Sequence, residues 1–104
     1  MPTAYVTAPR DAAQSIARTL VEEHLAACVN SISCESTYRW EGEVTTDEEV
    51  ILLAKTTDER YEALAERVVE LHPYEVPCVE RFEESELLTA FGQWRADAVD
   101  SSSE

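Results

Sequence analysis

From Cys28 to Lys55 the chain makes one long alternating excursion and returns, and no other segment constrains the fold as strongly. Cys28, Asn30, Ile32, Cys34, Ser36, Tyr38 and Trp40 fall on one face of a strand. Glu41-Gly42-Glu43 supplies a hairpin turn. The returning strand, from about Val44 to Lys55, contains Val50-Ile51-Leu52-Leu53-Ala54, apolar on both faces and so buried on both sides in its later half. Strands of ~12–14 residues compare with a usual ~5–6. At ~3.3 Å per residue they reach over ~40 Å, whereas a compact domain of this size is roughly 33 Å across. The hairpin therefore overhangs its own domain and carries Tyr38 and Trp40 at its far end. A lone two-stranded ribbon is only marginally stable in water. A neighbouring subunit is the simplest cover; the other reading is a bend that folds the ribbon back on its own sheet.

Around this hairpin the pattern is regular. Thr3 to Ala8 alternates as a short strand that Pro9 stops. Asp11 is placed to cap a helix with Ala13, Ile16, Ala17, Leu20 and His24 on one stripe. Thr56 with Glu59 reads as a capping box, followed by Tyr61, Leu64, Ala65, Val68 and Leu71 and ended by Pro73. Val76 to Phe82 reads as a strand confined to an edge or bulge by Pro77. Ser85 is placed to cap a last helix carrying Leu87, Leu88, Phe91, Trp94 and Ala98. The order β-α-β-β-α-β plus one helix is the split βαβ, ferredoxin-like α+β sandwich, an antiparallel sheet with helices on one face. One domain is expected over residues 1–99, with a short polar tail over 100–104.

Composition narrows the partners. Hydrophobic residues make up 44% of the 104, as in a globular chain. Asp and Glu number 22 against 8 Lys and Arg, a formal net charge of −14. Such a surface repels phosphate backbones and anionic lipid, so no nucleic-acid or membrane partner is expected. Self-repulsion of this size calls for screening, and a salt-rich cytoplasm fits both it and a cation set that is all Arg except Lys55. The N-terminus shows no secretory pattern, so cytoplasmic residence is expected. Three cysteines, Cys28, Cys34 and Cys78, argue against a disulfide framework and read as small buried hydrophobes.

The candidate site residues are few. His72, held extended before Pro73, reads either as a cation complementing a helix C-terminus or as a metal ligand. Glu75 is a metal ligand or the partner of Lys55. Copper, a soft ion, would also recruit sulfur from the cysteines, Cys28 among them. Lys55 can bind an anion or reach a carboxylate across a subunit cleft, and Tyr38, Trp40 and Tyr74 can line an interfacial pocket or simply pack. His24 reads as a partly exposed helix-end residue, and Asp47-Glu48-Glu49 as a solvated acidic segment. No Ser-His-Asp arrangement, zinc motif or phosphate loop is visible, so an enzyme is not expected.

Five segments resemble one family in order and spacing: Thr7-Ala8-Pro9, Leu25-Ala26-Ala27-Cys28-Val29-Asn30, Tyr38-Arg39-Trp40-Glu41-Gly42, Lys55-Thr56-Thr57 and His72-Pro73-Tyr74-Glu75-Val76-Pro77. With Trp94, they make residues 3 to 98 similar to the CutA divalent-cation tolerance proteins. The resemblance implies a homotrimer of ferredoxin-like subunits, related in architecture to PII signalling proteins, with a role in tolerance of copper and other divalent ions. His72, Cys28 and Glu75 are then the candidate metal residues, and the alternative is a PII-like sensor taking a small anionic ligand in subunit clefts near Lys55, His72 and Glu75. Members associated with copper carry Cys where this chain has Val6, and a His-His pair where it has Leu71-His72. Many also carry Pro-Gly at Ser33-Cys34.

Overall fold

The computed structural model describes residues 1–100. The elements are β1 (Pro2–Pro9), α1 (Arg10–Glu22), β2 (Cys28–Trp40), β3 (Glu43–Lys55), α2 (Asp58–Leu71), β4 (Cys78–Glu83) and α3 (Thr89–Ala98). The four strands form one antiparallel sheet in the order β2-β3-β1-β4. This is the expected ferredoxin-like sandwich. Of the expected polar tail, residues 101–104 lie outside the described residues.

Alternation decides which side of the sheet is core. Ala4, Val6 and Ala8 of β1 and Val50, Leu52 and Ala54 of β3 point one way and are buried. Ile16 and Leu20 of α1 and Leu64 and Val68 of α2 close over them. The other face carries Tyr5, Ile32, Ile51, Leu53 and Phe82, with Tyr5 and Phe82 stacked 5.2 Å apart. Ile32 and Phe82 are each 48% exposed. A sheet with one clean core face thus keeps a second, partly apolar face without a helix over it.

The hairpin is as long as its alternation indicates. β2 and β3 pair from Cys28↔Lys55 to Trp40↔Glu43, while β1 reaches only Glu49 of β3. The pairs from Glu35↔Glu48 onward are therefore a ribbon of two strands alone. The longest dimension is 46 Å and the radius of gyration 14.4 Å, against about 13 Å for a compact chain of this length. Glu41 (φ 49°) and Gly42 (φ 79°) form the turn. Two positive φ values in a two-residue loop match the right-handed twist of the strands.

Three local expectations are corrected. The N-cap of α1 is Pro9, and Asp11 sits in the first turn, where its charge meets the positive helix end. The Thr56–Glu59 capping box does not form: Thr57 occupies the N-cap, and the Thr56 hydroxyl donates instead to the Leu25 carbonyl (2.6 Å). The last helix starts at Thr89 rather than after Ser85. Glu84 is drawn inward by hydrogen bonds from Thr3 and Arg95, and its N–H bonds the Met1 carbonyl, which holds the approach extended. β4 is an edge strand, as Pro77 demands, and begins just after it.

Candidate functional site

At the root of the overhang, β2 and β3 leave β1 behind and the α2–β4 loop crosses beneath. There the uncovered sheet face folds into a cavity of about 550 Å³. Tyr38 and Trp40 reach it from β2, Asp47 and Glu49 from β3, Thr7 from β1, Tyr74 and Glu75 from the loop, and Cys78 from the start of β4. The period of two places them together. Cys34 stands opposite Glu49 and Ser36 opposite Asp47, so carboxylates and rings share one face.

The hydrogen bonds have one direction. The Tyr74 hydroxyl donates to Glu49 Oε2 (3.0 Å), and the Tyr38 hydroxyl donates to Asp47. Burial first, then the bond to Glu49, pushes the Tyr74 phenol up to about 12. Tyr38 is also raised, mainly by its bond to Asp47. Glu49 is only 4% exposed. It was read as part of a solvated run, and alternation was the signal that could have placed it, two residues from Ile51 on the same face.

His72 caps α2 and is 7% exposed. Its Nε2 donates to the Thr7 carbonyl (2.8 Å), and its Nδ1 accepts the Tyr74 N–H (3.1 Å). Because the Tyr74 N–H donates to Nδ1, that nitrogen is the acceptor and Nε2 the donor. Within this chain both ring nitrogens are engaged. The ring is a strut joining β1 to the loop that presents Tyr74.

The remaining candidates separate. Lys55 and Cys28 pair with each other at the opposite end of the sheet, four residues along β3 from the level of Thr7, or ~13 Å. Lys55 Nζ donates to Asn30 Oδ1 (3.1 Å), not to Glu75. Within one chain, therefore, Tyr38, Trp40, Tyr74 and Glu75 share the cavity, His72 supports it from behind, and Lys55 and Cys28 are elsewhere. Burial raises the Cys78 thiol, which donates to Glu80 (3.7 Å). Among the described residues no group of three or more His, Cys, Asp or Glu side chains converges to hold a metal ion.

A split βαβ sheet with an overlong hairpin and a cleft at its root defines a ferredoxin-like subunit of the PII-like kind. The family model "CutA1 divalent ion tolerance protein" matches residues 3–98. The CutA divalent-cation tolerance protein of Thermus thermophilus is 53% identical over 74 residues, covering 69% of this chain and 72% of its own. Among solved structures, the PII-like protein CutA from Nostoc superposes with a TM-score of 0.92 at 37% identity, covering 95% of this chain and 97% of that one. The periplasmic divalent cation tolerance protein CutA from Archaeoglobus fulgidus gives 0.92 at 32% identity, covering 96% and 100%. The chain belongs to the CutA1 divalent ion tolerance family. No helix among the described residues is long and apolar enough to cross a membrane.

Proposed function

We propose that this chain is the subunit of a cytoplasmic homotrimer that contributes to divalent-cation tolerance by reversible binding, without turnover. One observation carries the assembly. The uncovered face with Ile32, Ile51, Leu53 and Phe82 runs continuously into a ribbon that no third strand of its own chain pairs with. Sister copies would bury both at once and bring three copies of each cleft residue around one axis. Copper is the metal to test, since Cys34 and Cys78 flank the cleft and Cys28 lies further along the same sheet face. Light scattering in molar KCl should give three times the 11.7 kDa chain mass. Titration with Cu²⁺ at neutral pH should give saturable heat that falls when the cysteines are replaced by Ser. A monomer would end the assembly, and a flat titration would end the metal role.

The alternative, a sensor taking a small anion, needs Lys55 in the cleft, and within one chain it is not there. Only a neighbouring copy could supply it. A Lys55→Ala protein that keeps every ligand response would remove that reading.

A further inference from the structure

We infer that Lys55 of a neighbouring copy is the cation that neutralises Glu49, so that an ion pair between subunits completes each cleft at the root of the ribbon; this rests on the homotrimer of the preceding section and names the contact that orders it. Glu49 is 4% exposed and accepts a hydrogen bond from one phenol, that of Tyr74 (3.0 Å). Asp47 and Glu75 line the same cleft. Among the described residues no Lys or Arg of the same chain forms an ion pair with any of the three. A carboxylate has about four acceptor positions, and burying it without a cation is costly. A copy that covered this face with apolar groups alone would strip away the remaining water and raise that cost. The covering surface must therefore bring a cation.

Strand register decides which cation a copy of this chain can offer. Alternation puts every second strand residue on the uncovered face, in step with Tyr5, Ile51 and Phe82. Lys55 is the only Lys or Arg among them, since Arg39 of β2 and Arg81 of β4 have the opposite parity. Lys55 also has no carboxylate of its own: its Nζ donates to Asn30 Oδ1 (3.1 Å), a neutral acceptor, and it forms no ion pair among the described residues. Along β3 it stands six residues from Glu49, or ~20 Å, beyond the span of a side chain. The face thus carries carboxylates at the ribbon root and one ammonium at the other end. Cyclic rings join unlike patches of successive copies head to tail, which is how one copy's Lys55 meets the next copy's Glu49. A Lys55 engaged in this way is not left to hold a small anion.

The test follows the mass of the full chain by light scattering on dilution in molar KCl, where long-range repulsion is screened. Lys55→Met and Glu49→Gln should each raise the concentration at which the assembly falls apart by at least about tenfold, as losing one member of a desolvated charge pair does. The double variant should assemble no worse than either single one, whereas independent losses would multiply. Lys55→Glu should assemble more poorly still, and adding Glu49→Lys to the same chain should restore assembly by exchanging the charges across every contact. Arg18→Met, an equal change of charge at an exposed position of α1, should leave assembly as it is. Should Glu49→Gln fail to fold, Lys55→Met and Lys55→Glu decide the matter by themselves. Multiplying losses in the double variant, or wild-type assembly of both Lys55 variants, would overturn the proposal and leave the trimer standing. A wild-type chain that stays monomeric removes the assembly, and the pair with it.

Discussion

Single residues set the chemistry here through what their neighbours leave them to do. Arg95 is 1% exposed and binds the carbonyls of Thr56 and Pro2 together with Glu84 (2.8 Å), tying α3 to the start of β1. Arg95→Met should destabilise the fold by about 3 kcal/mol, since it takes the cation from Glu84 and the guanidinium donors from the Thr56 and Pro2 carbonyls; urea denaturation reads it. Burial would raise the Glu84 carboxyl, but bonds from Thr3 and Arg95 outweigh it and hold the group below the ordinary 4.5. A depressed acid stabilises fully above its unfolded value and loses that contribution as pH falls through its folded value. Unfolding followed below pH 4.5 should therefore show a loss that Glu84→Gln abolishes. Tyr74 runs the other way: its phenol, raised from 10 to about 12, contributes below pH 10 and loses that contribution as pH climbs toward 12. Absorbance at 295 nm should show Tyr74 ionising late, and Glu49→Gln should bring it earlier. None of this was legible in the sequence. Arg95 reads there as one more charge on a helix, and Glu49 as one more in an acidic run, because burial by distant elements leaves no local mark.

Elements were far more readable, because their signal is periodicity. The alternation of Cys28 to Trp40 fixed strand, face and length together, and the structure keeps all three. Helix starts were less readable, since a cap depends on what else competes for the hydroxyl: Thr56 found the Leu25 carbonyl instead. The ribbon holds a local conflict, Glu35 directly opposite Glu48. Like charges across a strand pair are unfavourable. Glu35→Lys should raise stability by about 0.5 kcal/mol at low salt and by almost nothing in molar KCl, measured by thermal unfolding in both. At the tip, Gly42→Ala should cost about 1 kcal/mol, because its φ of 79° strains any residue with a Cβ although the space around it is open.

For the molecule as a whole, charge and shape pull against each other. A chain of net charge −14 resists both its own compaction and the approach of copies. Yet the proposed homotrimer needs copies to approach. Salt reconciles the two by shrinking the screening length from ~10 Å at 0.1 M to ~3 Å at 1 M. The melting temperature should rise steeply between these concentrations, and dilution into low salt should lower the scattering mass. A melting curve indifferent to KCl would contradict this balance.

The ribbon beyond Glu49 also sets two clocks on refolding. The sandwich can close by itself, at a rate independent of how much protein is in the tube. In the proposed homotrimer the last stretch of hairpin would gain its cover only on encounter, so its ordering should be second order. After a salt jump, circular dichroism should report the first clock, and Trp40 emission, accelerating as the sample is concentrated, the second.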